Sequence, residues 1–145
     1  MNETTLVLLK PDCLAQRHAG DVIQRFEQAD LDIVGCKMTM LSDEVLAEHY
    51  AHVSTRPFYP GLKAFMQSSP VIVLALSGEG AVAKVRELMG PTDSKKAPPG
   101  TIRGDLGADT MENVVHGSDS PESAAAELKR FFSPHELLPS ALHPA

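Results

Sequence analysis

The chain has 145 residues, 43% of them hydrophobic and 22% charged, which is the make-up of an ordinary globular protein and predicts one compact domain over residues 1–145. A net charge of −6 argues against broad electrostatic binding to nucleic acid, so an anionic ligand would have to be met by a local cluster of Lys and Arg. No apolar run approaches the roughly 18 residues of a membrane span, and the acidic start Met1-Asn2-Glu3 does not read as a signal peptide, so the expected location is the cytoplasm.

Thr4 to Lys10 is an almost unbroken apolar run halted by Pro11-Asp12 and predicts a buried central strand. Gly20 to Ala29, with Val22, Ile23 and Phe26 at helical spacing, predicts an amphipathic helix. Ile33 to Leu41 predicts a second strand. Ser42-Asp43-Glu44 offers an N-cap and acidic first turn for a helix from Asp43 to Ala51. Arg56 to Gly61 reads as a rigid connection, followed by a short helix carrying Leu62, Phe65 and Met66.

Val71 to Leu76 is the strongest strand signal, and Ala81 to Met89 predicts a helix with Val82, Val85 and Met89 facing inward. From Gly90 to Asp109 the pattern dissolves among Pro91, Pro98, Pro99, Gly100, Gly104 and Gly107, which predicts a long irregular loop; such loops in compact domains often carry function. Val114-Val115 predicts a short strand. Ser120-Pro121-Glu122 marks a helix start, for a helix carrying Leu128, Phe131 and Phe132 and ending near Ser133-Pro134. The order predicts an α+β fold, a ferredoxin-like sandwich whose four-stranded antiparallel sheet is covered by helices. A Rossmann-type sheet is disfavoured because no Gly-rich turn follows the first strand. Cys13 and Cys36 have no C-x-x-C pairing and are expected to be free.

Chemistry concentrates in Asn113-Val114-Val115-His116-Gly117-Ser118-Asp119-Ser120. A histidine just past a short strand and beside a helix N-terminus sits where negative charge is favoured, and imidazole can act as a covalent nucleophile. A lone histidine in such a place is more often a satisfied core residue. Here, however, Lys10 ends the first strand, Arg86 and Thr92 flank the entrance of the long loop, and Arg103 lies within it. Three cations at segment ends of an acidic chain suit a polyphosphate clamp.

With Lys10-Pro11-Asp12, Glu48-His49-Tyr50, Arg56-Pro57-Phe58 and Pro99-Gly100-Thr101-Ile102-Arg103-Gly104-Asp105 in order before Asn113 and His116-Gly117-Ser118-Asp119-Ser120, nearly the whole chain resembles the nucleoside diphosphate kinase family. The resemblance implies ping-pong transfer of a terminal phosphoryl group from a nucleoside triphosphate to a nucleoside diphosphate, maintaining NTP and dNTP pools. His116 would be the phosphorylated nucleophile, Ser118 would hydrogen-bond near the transfer site, and Glu127 would orient the imidazole. Lys10 and Asn113 would meet the ribose and inner phosphates, and Arg86, Thr92 and Arg103 the phosphates. Tyr50 would stand near the transferring group and Phe58 would stack on the base, with broad base tolerance. It also implies Mg²⁺ held mainly by the nucleotide's phosphates, and a homo-oligomer (tetramer or hexamer) built from dimers, with no need of nucleic acid or membrane.

Ser69, Leu106 and Thr110 depart from the family's usual residues, and Thr110 offers a small cover for the second face of the base. A non-catalytic nucleotide-binding module of the same fold is disfavoured by the completeness of this set. An RNA-binding ferredoxin-like domain is disfavoured by strands without Phe or Tyr. His49 and His52 could begin a metal site, but no third ligand follows them at a suitable spacing. Lys95-Lys96 and His135 read as solvated surface.

Overall fold

A computed structural model describes residues 2–140. Its first strand, β1 (Asn2–Leu9), is buried without interruption from Leu6 to Leu9. In a strand, successive side chains face opposite ways, so an unbroken apolar run requires cover on both faces. Leu6 and Leu8 lie in one cluster with Leu46, Met66 and Phe131, while Val7 and Leu9 lie in a second with Val22, Phe26 and Val85. Each fully buried leucine contributes about 1.5–3 kcal/mol, which makes β1 the spine of the fold.

Around it stand β2 (Asp32–Thr39), β3 (Val71–Glu79) and β4 (Val115–Gly117), in the spatial order β2-β3-β1-β4 and antiparallel throughout. This is the ferredoxin-like arrangement. The helices α2 (Ala19–Gln28) and α5 (Ala81–Met89) supply one cluster. The other draws on α3 (Asp43–His49), α4 (Tyr59–Met66) and α7 (Pro121–Phe131). Side-chain caps open α3 and α7, where Ser42 accepts from Val45 N–H and Ser120 from Ser123 N–H. The helix carrying Glu127 therefore begins at a fixed point.

Four expectations need correction. Pro11 does not merely end β1; it occupies the first turn of a short helix, α1 (Pro11–Ala15), where its missing N–H costs nothing. The third strand runs three residues beyond Leu76, through Ser77, Gly78 and Glu79, all paired with β1. The segment Gly90–Asp109 is not irregular throughout. It holds a 3₁₀ turn at Ser94–Lys96 and a helix, α6 (Ile102–Leu106), capped by Thr101, whose hydroxyl accepts from Gly104 N–H and donates to the Pro98 carbonyl. A Cβ on Gly104 would collide with that same carbonyl, so this glycine serves close packing inside a helix. Finally, the fourth strand begins at Val115 and contains His116; Val114 lies outside it, at φ 75°. Both cysteines are free, Cys13 buried and Cys36 exposed.

Candidate active site

The site is built on the edge strand β4. His116 pairs with Leu8 of β1, which ties its backbone to the spine of the fold. Just before the strand, Val115 N–H bonds the carbonyl of Asn113. With Val114 at φ 75°, this is the tight, rarely populated γ-turn. Such a conformation in a β-branched residue costs about 1–3 kcal/mol and persists only where its surroundings impose it. Here the buried carboxylate of Asp12 accepts Val114 N–H at 3.0 Å, and Lys10 N–H donates to the Val114 carbonyl at 2.9 Å. The start of α1 thus holds the bend that aims His116. Asp12 was not among the expected site residues; its only signal was its place in Lys10-Pro11-Asp12.

The imidazole of His116 bonds Glu127 from Nε2 to Oε1 at 2.8 Å, and Ser118 donates its hydroxyl to the same oxygen at 2.9 Å. A carboxylate only accepts, so Nε2 carries the proton and Nδ1 keeps its lone pair. Glu127 is held below the usual carboxylate range despite its burial, by the hydrogen bond and charge of His116, with His49 and Ser118 adding to them. Ser118 is fully buried. It therefore braces Glu127 and does not itself face the cleft, a refinement of the role expected for it.

Beside His116 opens a cleft of about 690 Å³, lined among others by Lys10, Tyr50, Phe58, Arg86, Thr92, Arg103, Asn113 and Glu127. All the expected site residues except Ser118 reach it. Lys10 Nζ donates to Asn113 Oδ1 and to the Met111 carbonyl, both at 2.7 Å, which leaves one of the three ammonium donors unused. Burial pulls its pKa down to about 8, against the pull of Asp12. Asn113 commits both amide hydrogens to the carbonyls of Thr92 and Thr110, stitching the loop's entrance to its exit. Burial raises the Tyr50 phenol to about 12, with the negative charge of Glu127 adding to it, so it remains a proton donor at neutral pH.

Arg103 differs most from expectation. Its guanidinium was expected to be free for phosphate, yet it donates to the carbonyls of Gly90 at 3.0 Å, Asn113 at 3.3 Å and Val115 at 2.8 Å. It lines the cleft and pins the loop at once, with two of its five N–H groups left. Burial, and then the charge of Arg86, lower its pKa to about 10. Phe58 is 57% exposed, an open aromatic face at the cleft mouth, with Thr110 and Met111 also lining it. His49 and His52 form no joint site. Among the described residues, the one group of three metal-ligating side chains is His49, His116 and Glu127, and it draws on three elements that the sequence does not place together.

Residues 3–137 match the family model described as nucleoside diphosphate kinase. A nucleoside diphosphate kinase from Legionella pneumophila (strain Lens) is 51% identical over 135 residues, covering 93% of this chain and 96% of that one. One from Bdellovibrio bacteriovorus is 48% identical at the same coverage. Among solved structures, the halophilic nucleoside diphosphate kinase from Halobacterium salinarum in complex with CDP superposes with a TM-score of 0.92 at 40% identity, over 95% of this chain and 92% of that one. The Aquifex aeolicus nucleoside diphosphate kinase gives 0.90 at 40% identity, over 95% and 100%. A nearly full-length match, relatives at half identity and a shared fold lead to one conclusion: the chain belongs to the nucleoside diphosphate kinase family.

Proposed function

We propose that this enzyme moves the terminal phosphoryl group from a nucleoside triphosphate to a nucleoside diphosphate by a ping-pong route through His116. The observation that carries the reading is the Glu127 carboxylate on Nε2, which leaves Nδ1 as the nucleophile. Nδ1 attacks the γ-phosphorus, the bond to the bridging oxygen breaks, and the diphosphate departs. The positive charge that develops on the ring is met by Glu127. A second nucleoside diphosphate then attacks the phosphohistidine with a β-phosphate oxygen, and the lone pair returns to Nδ1. Arg86, Thr92 and the two spare donors of Arg103 would hold the phosphates, and Tyr50 would donate near the transferring group. The remaining Lys10 proton and Asn113 would serve the sugar and inner phosphates. Fixed donors aimed at developing charge commonly do more than any other feature to lower such a barrier.

Phe58 offers the base a ring face and no edge readout, which supports broad tolerance of bases and a role in maintaining NTP and dNTP pools. For Mg²⁺, the fit is to the nucleotide and not to a protein cage. The His49, His116 and Glu127 group is rich in nitrogen and supplies a single carboxylate, whereas Mg²⁺ prefers oxygen ligands at octahedral geometry. When bound across the phosphates, the ion would neutralise part of their charge. The proposal extends to a homo-oligomer built from dimers, tetramer or hexamer, in the cytoplasm. Ile33, Met38 and Met40, exposed on or just beyond the edge strand β2, support an assembly. No helix of the described residues is long and apolar enough to cross a membrane.

Incubation with γ-labelled ATP and Mg²⁺ should yield an acid-labile, base-stable label that is absent in His116→Ala and suppressed by chelation, since a phosphoramidate hydrolyses in acid. A label surviving His116→Ala would place the nucleophile elsewhere. A protein that binds ADP but never labels would be a nucleotide-binding module without this chemistry.

A further inference from the structure

Against the proposed nucleophile, in the lining of the same cleft, lies a second imidazole that the transfer steps do not use. His49, the last residue of α3, is 8% exposed. Its ring meets that of His116 edge-on, with centroids 4.6 Å apart at 81°, and also abuts Tyr50 and Phe131. Its Nδ1 lies 2.9 Å from Nη1 of Arg130. A guanidinium has donors only and keeps its proton at any working pH. Nδ1 must therefore accept, so the neutral ring carries its single proton on Nε2. Arg130 and Glu127 lie three apart on α7 and so share a helix face. One helix face thus sets the tautomers of two histidines, Glu127 that of His116 and Arg130 that of His49.

We propose that Arg130 is a positioning residue for phosphoryl transfer, acting through His49, an inference that rests on His116 being the nucleophile. A ring nitrogen of His49, one of His116 and a carboxylate oxygen of Glu127 lie within 4.8 Å of one another. A proton added to His49 would put a second imidazolium beside Glu127, competing for the carboxylate that orients His116. The pressure to add it is greatest once His116 carries an anionic phosphoryl group, because nearby negative charge favours the charged form of an imidazole. A proton on Nδ1 would face the guanidinium head-on, and Arg130 thereby closes that route.

The groups around His49 are His116 from β4, Glu127 and Arg130 from α7, and Glu48, Tyr50 and His52 on its own segment. Burial acts first, and His116, Arg130 and His52 then add to it, against Glu127, to bring the His49 pKa to about 3. Burial opposes the charged ring, and Arg130 both adds to that opposition and selects which nitrogen is bare. Glu48 does not divert Arg130 from this task. Its carboxylate is largely exposed, 3.3 Å from Nε, and Nε has no hydrogen-bond partner.

Arg130→Met keeps the unbranched stem and removes the donor, and Arg130→Lys restores one. The tautomer of His49 is read in the full-length protein from long-range ¹H–¹⁵N correlations of the ring, alongside kcat, KM and melting temperature across about pH 5.5–8. We expect one Nε2–H tautomer of His49 in the wild type. In Arg130→Met we expect a mixed or protonated ring, and kcat about fivefold lower on the acid side with KM changed less than about twofold. Lysine should return both readouts most of the way. An unchanged tautomer in Arg130→Met would overturn the proposal, as would a lower melting temperature with kcat and its pH profile intact, because Arg130 would then be structural only. A wild type that fails to label on His116 would remove the reading beneath the proposal whatever the tautomer, so the two failures are distinguishable.

Discussion

The guanidinium of Arg103 closes three backbone carbonyls from three places, Gly90 at the end of α5, Asn113 at the start of the γ-turn and Val115 in β4. A lysine retains the charge and can reach one or two of these, but it cannot span all three from one planar group. The Asn113 carbonyl keeps Val115 N–H, but each buried carbonyl left without a donor costs about 1–3 kcal/mol. Arg103→Lys should therefore lose roughly 2–3 kcal/mol of folding stability in urea and at least about tenfold in kcat/KM, because the same group holds the loop and, on the proposed function, would hold the phosphates. Loss of activity with an unchanged urea midpoint would show that the carbonyl bonds do not hold the loop, and unchanged kinetics would remove Arg103 from the site. At Val114 the same dependence on distant groups runs through strain. The γ-turn is imposed from outside by Asp12 and Lys10, so the direction of His116 depends on a carboxylate more than one hundred residues earlier in the chain.

Among the elements, α6 is short, only five residues, and could not persist alone, since isolated helices below about 12 residues are marginal in water. Its cap and its ties hold it. Thr101 satisfies Gly104 N–H, Asp105 accepts from Gly100 N–H and from Arg25 of α2, and Ile102 is fully buried. Thr101→Ala should cost about 1 kcal/mol, and because Arg103 rides on this helix it should raise nucleotide KM more than it lowers kcat. A variant with wild-type stability and KM would show that Ile102 and Arg103 hold the helix without its cap. This helix also marks the limit of what could be read from residues alone. β1 and β3 were legible from their apolar runs, α5 from its apolar period, and α7 from its period together with its Ser120 cap. In residues 90–109 the repeated Pro and Gly suggested disorder of pattern, while the real order comes from side-chain bonds to distant backbone, which no local period records. The residues that line the cleft were legible by motif and residue type. The double use of Arg103, the bracing of Glu127 by Ser118 and the meeting of His49 with His116 were not, because each depends on contacts between separate elements.

At the scale of the whole molecule, Lys10 links the occupancy of the cleft to pH. Its folded pKa of about 8 lies below the ordinary 10.5, so between those values the unfolded chain holds a proton that the native one has released. Stability must then rise with pH across that window through this group, and the penalty for burying its charge is felt in full below about pH 8. Nucleotide phosphates entering the cleft favour the charged lysine, and ADP binding near pH 8 should therefore take up a proton. Calorimetry in two buffers of different ionisation heat should reveal that uptake in the wild type and not in Lys10→Met; equal heats in the wild type would contradict it. The placing of the cations has a wider consequence. The chain as a whole is acidic, at −6, yet Lys10, Arg86 and Arg103 all line one cleft, so what lies outside it is more negative still. A mononucleotide can bring its few charges into the cleft and touch nothing else. A polynucleotide would have to lay the rest of its backbone along an acidic exterior, where like charge opposes every added phosphate.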